Sequence, residues 1–105
     1  KTDVVEDTAC YVKAHLAEPH LVDELARRVY MNPEHLTRQF KKRYNKTLLE
    51  FITQERMTLA AEMLLHSDMS ISMISARTGY PNYSYFTKIF KKYYGVTPRE
   101  YQQQS

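Results

Sequence analysis

An internal repeat with a period of fifty residues constrains the fold more than any other feature of this sequence. A shift of fifty positions aligns Leu36–Phe51 with Phe86–Tyr101, and seven of the sixteen aligned positions are identical. Upstream, three apolar or small residues match at a shift of forty-nine: Val22, Leu25 and Ala26 with Ile71, Ile74 and Ser75. Because a solenoid needs at least about three copies, the repeat predicts two related subdomains instead.

The composition excludes several other fold classes. The 105 residues include two glycines and one cysteine, Cys10. Glycine loops that hold phosphates and tight β-hairpins need more glycine, while disulfide frameworks and Cys-based zinc sites need more cysteine. The longest apolar run, Ala9–Val12, is four residues long and too short to cross a membrane. These limits favour an all-α protein.

Helical spacing of apolar residues and capping residues predict about seven helices. Asn32 and Asn82 are placed to cap the two helices that carry the repeat. Thr47–Glu50 and Thr97–Glu100 each fit a capping box, and the first opens a helix over residues 48–66 that would be about 28 Å long. The expected buried residues are Val5, Ala9, Val12, Leu16, Val22, Leu25, Val29, Leu36, Phe40, Ile71, Ile74, Phe86 and Phe90, with Cys10 beside the first stripe.

The predicted helices fall into three segments. Residues 1–46 form a first helix-turn-helix subdomain, residues 47–66 a linker helix and residues 67–105 a second helix-turn-helix subdomain. In each copy a short helix, a turn and a longer capped helix follow one another, as in a helix-turn-helix. Ala26 and Ser75 supply the small residue needed where the two helices cross.

The turn of the first copy departs from the expected pattern. A glycine is expected four residues after the small residue, and Gly79 fits, but the first copy has Tyr30 there. Two alternatives follow. Either Tyr30 takes a left-handed conformation at a cost of about 1 kcal/mol, or the first turn is built differently.

The charge of the chain alternates in blocks that match the repeat. The net charge is −4 over residues 1–24, +6 over 25–46, −3 over 47–69 and +4 over 70–105. Opposite the buried residues of each second helix lies a polar and cationic stripe, formed by Glu34, Thr37, Arg38 and Lys41 in the first copy and by Ser84, Thr87, Lys88 and Lys91 in the second. Cations beside capped helix N-termini are typical of phosphate contacts.

The stretch from Gly79 to Tyr101, GYPNYSYFTKIFKKYYGVTPREY, resembles the signature of the AraC/XylS family of bacterial transcription regulators. Arg56–Ala60 and Leu64–Leu65 resemble the linker helix of that family, and the resemblance covers about residues 5–102. It implies a homeodomain-like pair of helix-turn-helix subdomains joined by a rigid helix. Their recognition helices would enter successive major grooves of double-stranded DNA and regulate transcription.

By position, the resemblance implies a set of DNA-binding residues. The base-contacting residues would be Glu34, Thr37 and Arg38 on the first recognition helix and Tyr83, Ser84, Thr87 and Lys88 on the second. The phosphate contacts would be Lys41, Lys42, Lys91 and Lys92, beside the capping residues Asn32 and Asn82. The family commonly has arginine in place of Lys88, and lysine cannot make the same bidentate contact with guanine. Glu34 would accept a hydrogen bond from cytosine or repel a phosphate.

Two alternatives stay open at this point. A helical protein-interaction module would dock on an acidic partner, such as a polymerase subunit, and would show no sequence preference on DNA. A binder of single strands or RNA would stack bases on Tyr83, Tyr85, Tyr93 and Tyr94. The tyrosines at helix ends are expected to pack instead: Tyr30, Tyr44, Tyr80, Tyr94 and Tyr101.

No enzyme, cofactor or metal site is predicted, because the four histidines lack ligand spacing and no nucleophile is paired with a base. The chain begins with Lys1 rather than methionine, so we expect a monomeric piece of a longer regulator. The resemblance implies a separate N-terminal domain that senses a signal or makes the full protein a dimer. The expected partners are double-stranded DNA and RNA polymerase, with no membrane, and the expected location is the cytoplasm, at the nucleoid.

Overall fold

A computed structural model of the chain describes residues 3–104 and confirms the all-α fold. Within this range the chain forms seven α-helices and no strand. None of these helices is both long enough and apolar enough to span a bilayer. The helices are α1 (Val4–Ala14), α2 (Leu21–Arg28), α3 (Pro33–Tyr44), α4 (Leu48–His66), α5 (Ile71–Arg77), α6 (Tyr83–Tyr94) and α7 (Pro98–Gln103).

The helices divide into two compact units. Unit 1 covers Lys1–Glu55 and unit 2 covers Arg56–Ser105, so the boundary falls inside the continuous helix α4. Unit 1 contains α1, α2, α3 and the start of α4, and unit 2 contains the remainder of α4 with α5, α6 and α7. The sequence-based division into three segments, with α4 as a separate linker, stays a prediction.

The core of unit 1 is built from the apolar stripes of its helices. Leu36 and Phe40 of α3 are completely buried. The ring of Phe40 stacks on Tyr44, with centroids 4.7 Å apart, and lies 5.0 Å from the ring of Phe51 at the start of α4. The other buried apolar residues of this unit are Val5, Ala9, Val12, Leu16, Leu21, Leu25, Ala26, Leu48 and Ile52.

Unit 2 repeats this arrangement. Phe86 and Phe90 of α6 are completely buried and occupy the places of Leu36 and Phe40. They pack with Met57, Ala60, Leu64, Ile74 and Tyr80. The buried Arg56 lies with its guanidinium carbon 5.1 Å from the centre of the Tyr80 ring, which favours the cation electrostatically.

Three of the predicted core residues are only partly buried. Val22, Val29 and Ile71 are half-buried, and Ile71 packs against the core of unit 2. Leu21, which the spacing did not select, is 2% exposed, because the short helix α2 turns its first residue toward the core. Cys10 is exposed on the outer side of α1 rather than at the edge of the core.

In the first helix-turn-helix, the turn is built with Tyr30 in the strained left-handed conformation, which is the first of the two predicted alternatives. The Met31 N–H donates to the Ala26 carbonyl at 2.9 Å, and the Tyr30 N–H donates to the Arg27 carbonyl at 3.3 Å. This pair of bonds is the Schellman motif, which places the residue after the helix cap in the left-handed conformation. Tyr30 has φ of 57° and its side chain is 97% exposed, so it does not pack as predicted.

The second turn has the same backbone bonds around a glycine. The Tyr80 N–H donates to the Ser75 carbonyl at 2.9 Å, and the Gly79 N–H donates to the Ala76 carbonyl at 3.2 Å. Gly79 has φ of 89°. Ser75 is buried like its counterpart Ala26, and its hydroxyl also donates to the Tyr80 carbonyl. The two turns are therefore built alike, although only one of them has glycine at the left-handed position.

Both predicted capping boxes form. The Glu50 N–H donates to Thr47 Oγ1 at 3.0 Å, and the Thr47 N–H donates to Glu50 Oε1 at 2.7 Å. Thr97 and Glu100 make the same two bonds at 3.1 and 2.9 Å. The backbone N–H of each threonine is the main cause that lowers the pKa of the partner glutamate, because it stabilises the ionised carboxylate.

Replacing Tyr30 with glycine is expected to stabilise unit 1. Glycine removes a left-handed Cβ penalty of about 1–2 kcal/mol but costs about 0.5–1 kcal/mol in chain entropy, so the free energy of unfolding should rise by roughly 0.5–1 kcal/mol. Chemical denaturation measures this change. Tyr30→Ala keeps the Cβ atom and is the control. An equal gain from alanine would mean that the exposed ring, and not φ, is unfavourable.

The capping glutamates are expected to make stability depend on acid pH. Because the pKa of each is lowered in the folded chain, the stabilisation is present at neutral pH and is lost as the pH falls below the ordinary glutamate value of 4.5 and through the lower folded value. Glutamine can still close a capping box, so Glu50→Gln with Glu100→Gln should leave neutral stability nearly unchanged and flatten the loss in acid. Thermal unfolding between about pH 2 and pH 7 tests this range.

The control for the acid titration is Glu62→Gln on the exposed side of α4. It removes one carboxylate without changing a helix cap. An equal flattening by this variant would contradict the role assigned to the two boxes.

Candidate nucleic-acid interface

The predicted residues of α3 lie together on the side of the helix that faces away from the unit 1 core. Asn32 caps the helix, and its Oδ1 accepts the N–H groups of Glu34 at 2.8 Å and His35 at 3.2 Å. Complete burial of Leu36 and Phe40 fixes the rotation of the helix about its axis. As a result Glu34, Arg38, Lys41 and Lys42 are exposed, and Thr37 is half-buried.

Two shallow grooves run along this exposed face, and Arg38 lines both of them. One groove of about 390 Å³ is lined by His35, Arg38, Gln39, Lys41 and Lys42. The other, of about 470 Å³, is lined by Pro33, Glu34, Thr37 and Arg38. Arg38 is therefore the side chain that can interact with a molecule lying in either groove.

Sequence reasoning missed His35 and Gln39. Their side chains are hydrogen-bonded, with Gln39 Nε2 3.2 Å from His35 Nε2, and both lie beside Arg38. They are four positions apart, which places them on one face of a helix, next to the predicted stripe. That spacing, together with their polar character, could have identified them.

The predicted residues of α6 form the matching face in unit 2. Asn82 caps the helix by accepting the Tyr85 N–H at 3.0 Å. The buried Phe86 and Phe90 again fix the helix rotation. The exposed members of the predicted set are Tyr83, Ser84, Lys88, Lys91 and Lys92.

Thr87 differs from the other members of the α6 set. The residue is half-buried, its Oγ1 atom is shielded from solvent, and this oxygen has no hydrogen-bond partner among the described residues. In this rotamer the hydroxyl does not face a ligand on the exposed side. Thr37, its counterpart on α3, is also half-buried and borders the larger groove.

Some cations of the described part of the chain are held in ion pairs with carboxylates, and others are not. Over residues 3–104, ion pairs engage Arg27 and Arg43 but none of the predicted phosphate-contacting lysines. Arg43, which follows Lys41 and Lys42, binds the carboxylates of Asp3, the N-cap residue of α1, and of Glu6 on α1. Its hydrogen bond is the main cause that lowers the pKa of Asp3. Arg43 is thus directed toward α1 instead of outward.

The exposed tyrosines include three of the four that a single-strand binder would use. Tyr83, Tyr85 and Tyr93 are between 45% and 52% exposed. Tyr94 instead packs on Phe90, with ring centroids 4.6 Å apart, and donates its hydroxyl to the Met57 carbonyl at 3.1 Å. Burial is the main cause that raises the pKa of Tyr94. Tyr94 therefore belongs to the core of unit 2 and not to a stacking surface.

The part of the chain that the structure describes contains no group of three or more His, Cys, Asp or Glu side chains that could hold a metal ion. The candidate site consists of the exposed cationic faces of α3 and α6, one in each unit.

Comparison with known proteins identifies the family of these units. Residues 25–104 match the model of a family described as a helix-turn-helix domain. The chain is 37% identical over 94 residues to the regulatory protein PocR of Salmonella typhimurium, covering 90% of this chain and 31% of that protein. It is 33% identical over 91 residues to the xylose operon regulatory protein of Escherichia coli K12, covering 87% and 23%. The chain thus spans about a third or less of the length of these relatives.

Solved structures with the same fold include two with nearly complete coverage. The C-terminal domain of AraT, a response regulator from Geobacillus stearothermophilus, is 30% identical with a TM-score of 0.94, and the alignment covers 99% of this chain and 87% of that one. The DNA-binding domain of AdpA, solved in complex with a target DNA, is 24% identical with a TM-score of 0.90 and coverage of 98% and 93%. The chain therefore belongs to the family of AraC-type helix-turn-helix domains, which bind DNA in transcription regulators.

Proposed function

We propose that α3 and α6 are both recognition helices and that they enter successive major grooves of double-stranded DNA, so that the chain selects its site by sequence. The observation that carries this proposal is the duplication of one surface. In each unit an asparagine-capped helix has a completely buried inner side and an exposed cationic outer side. The major groove, about 12 Å wide, admits an α-helix.

Arg38 and Lys88 are proposed as the main base-contacting residues. Arg38 is exposed, lines both grooves of α3 and can donate two hydrogen bonds to the O6 and N7 atoms of guanine. Lys88 occupies the same place on α6 but offers one ammonium group, so its contact is less selective. The remaining proposed base contacts are Glu34, Thr37, Tyr83, Ser84 and Thr87.

Thr87 would contact a base in one of two ways. Its methyl group can pack against a thymine methyl, or its side chain can rotate so that the hydroxyl finds a partner that the free chain lacks. The rotation would be the more favourable of the two, because the hydroxyl gains a hydrogen bond without giving one up.

Lys41, Lys42, Lys91 and Lys92 are proposed to hold phosphates on either side of the base contacts. Asn32 and Asn82 cap the N-termini of the two helices, and the positive end of each helix dipole favours a nearby phosphate. We also propose that the chain is a monomeric, non-catalytic part of a longer regulator, that this regulator acts in the bacterial cytoplasm at the nucleoid, and that RNA polymerase is its protein partner.

Replacing Arg38 with alanine is expected to weaken specific binding most. Selection from a randomised duplex pool should first recover two short half-sites with centres about 34 Å apart along the DNA. On that duplex Arg38→Ala should cost about 1–3 kcal/mol of binding free energy and relax the preference at one base pair. Fluorescence anisotropy on the selected duplex and on single-position variants measures both effects.

Lys13→Ala is the control for Arg38→Ala. It also removes an exposed cation, from the last turn of α1, outside the proposed interface. If Arg38→Ala lowered the affinity for every duplex by the same factor, Arg38 would contact phosphate and not a base.

Replacing Lys42 with alanine is expected to weaken binding to all duplexes alike. A phosphate contact releases counterions, so its loss should make the slope of log affinity against log salt concentration less steep by about one. Lys46→Ala is the matched control, because the Lys46 ammonium already donates to Gln54 Oε1. A loss confined to the selected duplex, or an unchanged slope, would contradict the phosphate role of Lys42.

A further inference from the structure

Unit 2 contains a groove that the proposed base and phosphate contacts do not account for. It has a volume of about 370 Å³ and lies among α5, α6 and α7. Its polar lining residues are Ser70, Ser72, Tyr83, Arg99 and Gln102. Of these, only Tyr83 belongs to the predicted DNA-binding set.

The lining groups are suited to an anion. Arg99 is exposed, makes no ion pair over residues 3–104, and has no carboxylate beside it among the described lining residues. The Ser70 oxygen accepts the Met73 N–H at 3.1 Å, so its hydroxyl hydrogen can be donated to a ligand. A guanidinium next to hydroxyl donors matches the several acceptor oxygens of a phosphate.

The position of the groove indicates which phosphate it would receive. Tyr83 is the first residue of α6 and lines the groove, so the groove borders the start of the second recognition helix. A helix in the major groove has the sugar-phosphate strands on either side of it, and the protein groups that flank the helix contact those strands.

We propose that this groove holds a backbone phosphate of the duplex that α6 contacts, with Arg99 as the principal ligand. The inference rests on the proposed function and adds a contact that the sequence comparison with the first copy would not reveal. At a shift of fifty residues, Arg99 corresponds to Leu49, Tyr83 to Pro33 and Gln102 to Ile52. Leu49 is 61% exposed and apolar, so the phosphate contact belongs to unit 2 alone.

The test compares Arg99→Leu, which places the residue of the first copy in the second, with Leu49→Ala as the matched control. Binding of each variant to the selected duplex is measured across a salt series. Arg99→Leu should lower the affinity roughly three- to tenfold on all duplexes and make the salt slope less steep by about one, while Leu49→Ala should change neither. Arg99→Lys should keep the slope of the unmodified chain, since it retains the charge.

Ethylation interference on the same duplex locates the contact. With the unmodified chain, ethylation of a phosphate beside the half-site of α6 should block binding, and with Arg99→Leu that interference should disappear. Circular dichroism verifies that the variants fold, which is expected because Arg99 is exposed.

The outcomes separate this inference from the function on which it rests. If the unmodified chain binds no duplex, the proposed function fails. If it binds while Arg99→Leu leaves affinity, slope and interference unchanged, only the phosphate role of Arg99 fails. An equal loss from Arg99→Leu and Leu49→Ala would also overturn the inference, because it would show no contact particular to the groove.

Discussion

The left-handed residue at the end of α2 and of α5 sets the direction in which each recognition helix leaves its turn. Tyr30 and Gly79 occupy this position, with φ of 57° and 89°. This conformation reverses the chain direction, so that the N–H of the next residue can donate to the carbonyl of a buried small residue. Met31 donates to Ala26, and Tyr80 donates to Ser75. A residue restricted to right-handed backbone could not close these bonds. The following cap would then begin α3 or α6 in a different direction, and their inner apolar residues would miss the core.

The packing that follows the turn decides which polar groups reach solvent. Burial of one stripe on a helix exposes the stripe on the opposite side, whose members lie three and four positions from one another. Since Leu36 and Phe40 are buried in unit 1, and Phe86 and Phe90 in unit 2, the cationic stripes must face outward. Arg43 lies outside these stripes and is directed toward α1, because the carboxylates of Glu6 and of the N-cap residue Asp3 bind its guanidinium. The surface charge available to DNA therefore depends on contacts between helices as well as on composition.

The two copies share a backbone plan but differ in the side chains around it. The first has an exposed, strained tyrosine in its turn, and the acidic residues at the start of α1 bind Arg43 of α3. The second has glycine in the turn and the arginine-lined groove beside α6. One scaffold thus presents two distinct surfaces, which allows a site made of two unlike halves.

The sequence by itself determined the helices, their caps and the cationic stripes. These features depend on residues within about four positions of each other, so the spacing of Leu36 and Phe40 or the box formed by Thr97 and Glu100 was sufficient. The family also followed from sequence, because the stretch from Gly79 to Tyr101 is specific.

Only the tertiary structure decided which residues meet across the chain. Arg43 and Asp3 are forty residues apart, and no local pattern shows that they pair. Leu21 is buried instead of Val22 because the packing of a short helix, and not its period alone, selects the buried side. Tyr30 accepts left-handed strain because the helices on both sides of the turn must pack. The groove of Ser70, Tyr83 and Arg99 joins three helices that only the folded chain brings together.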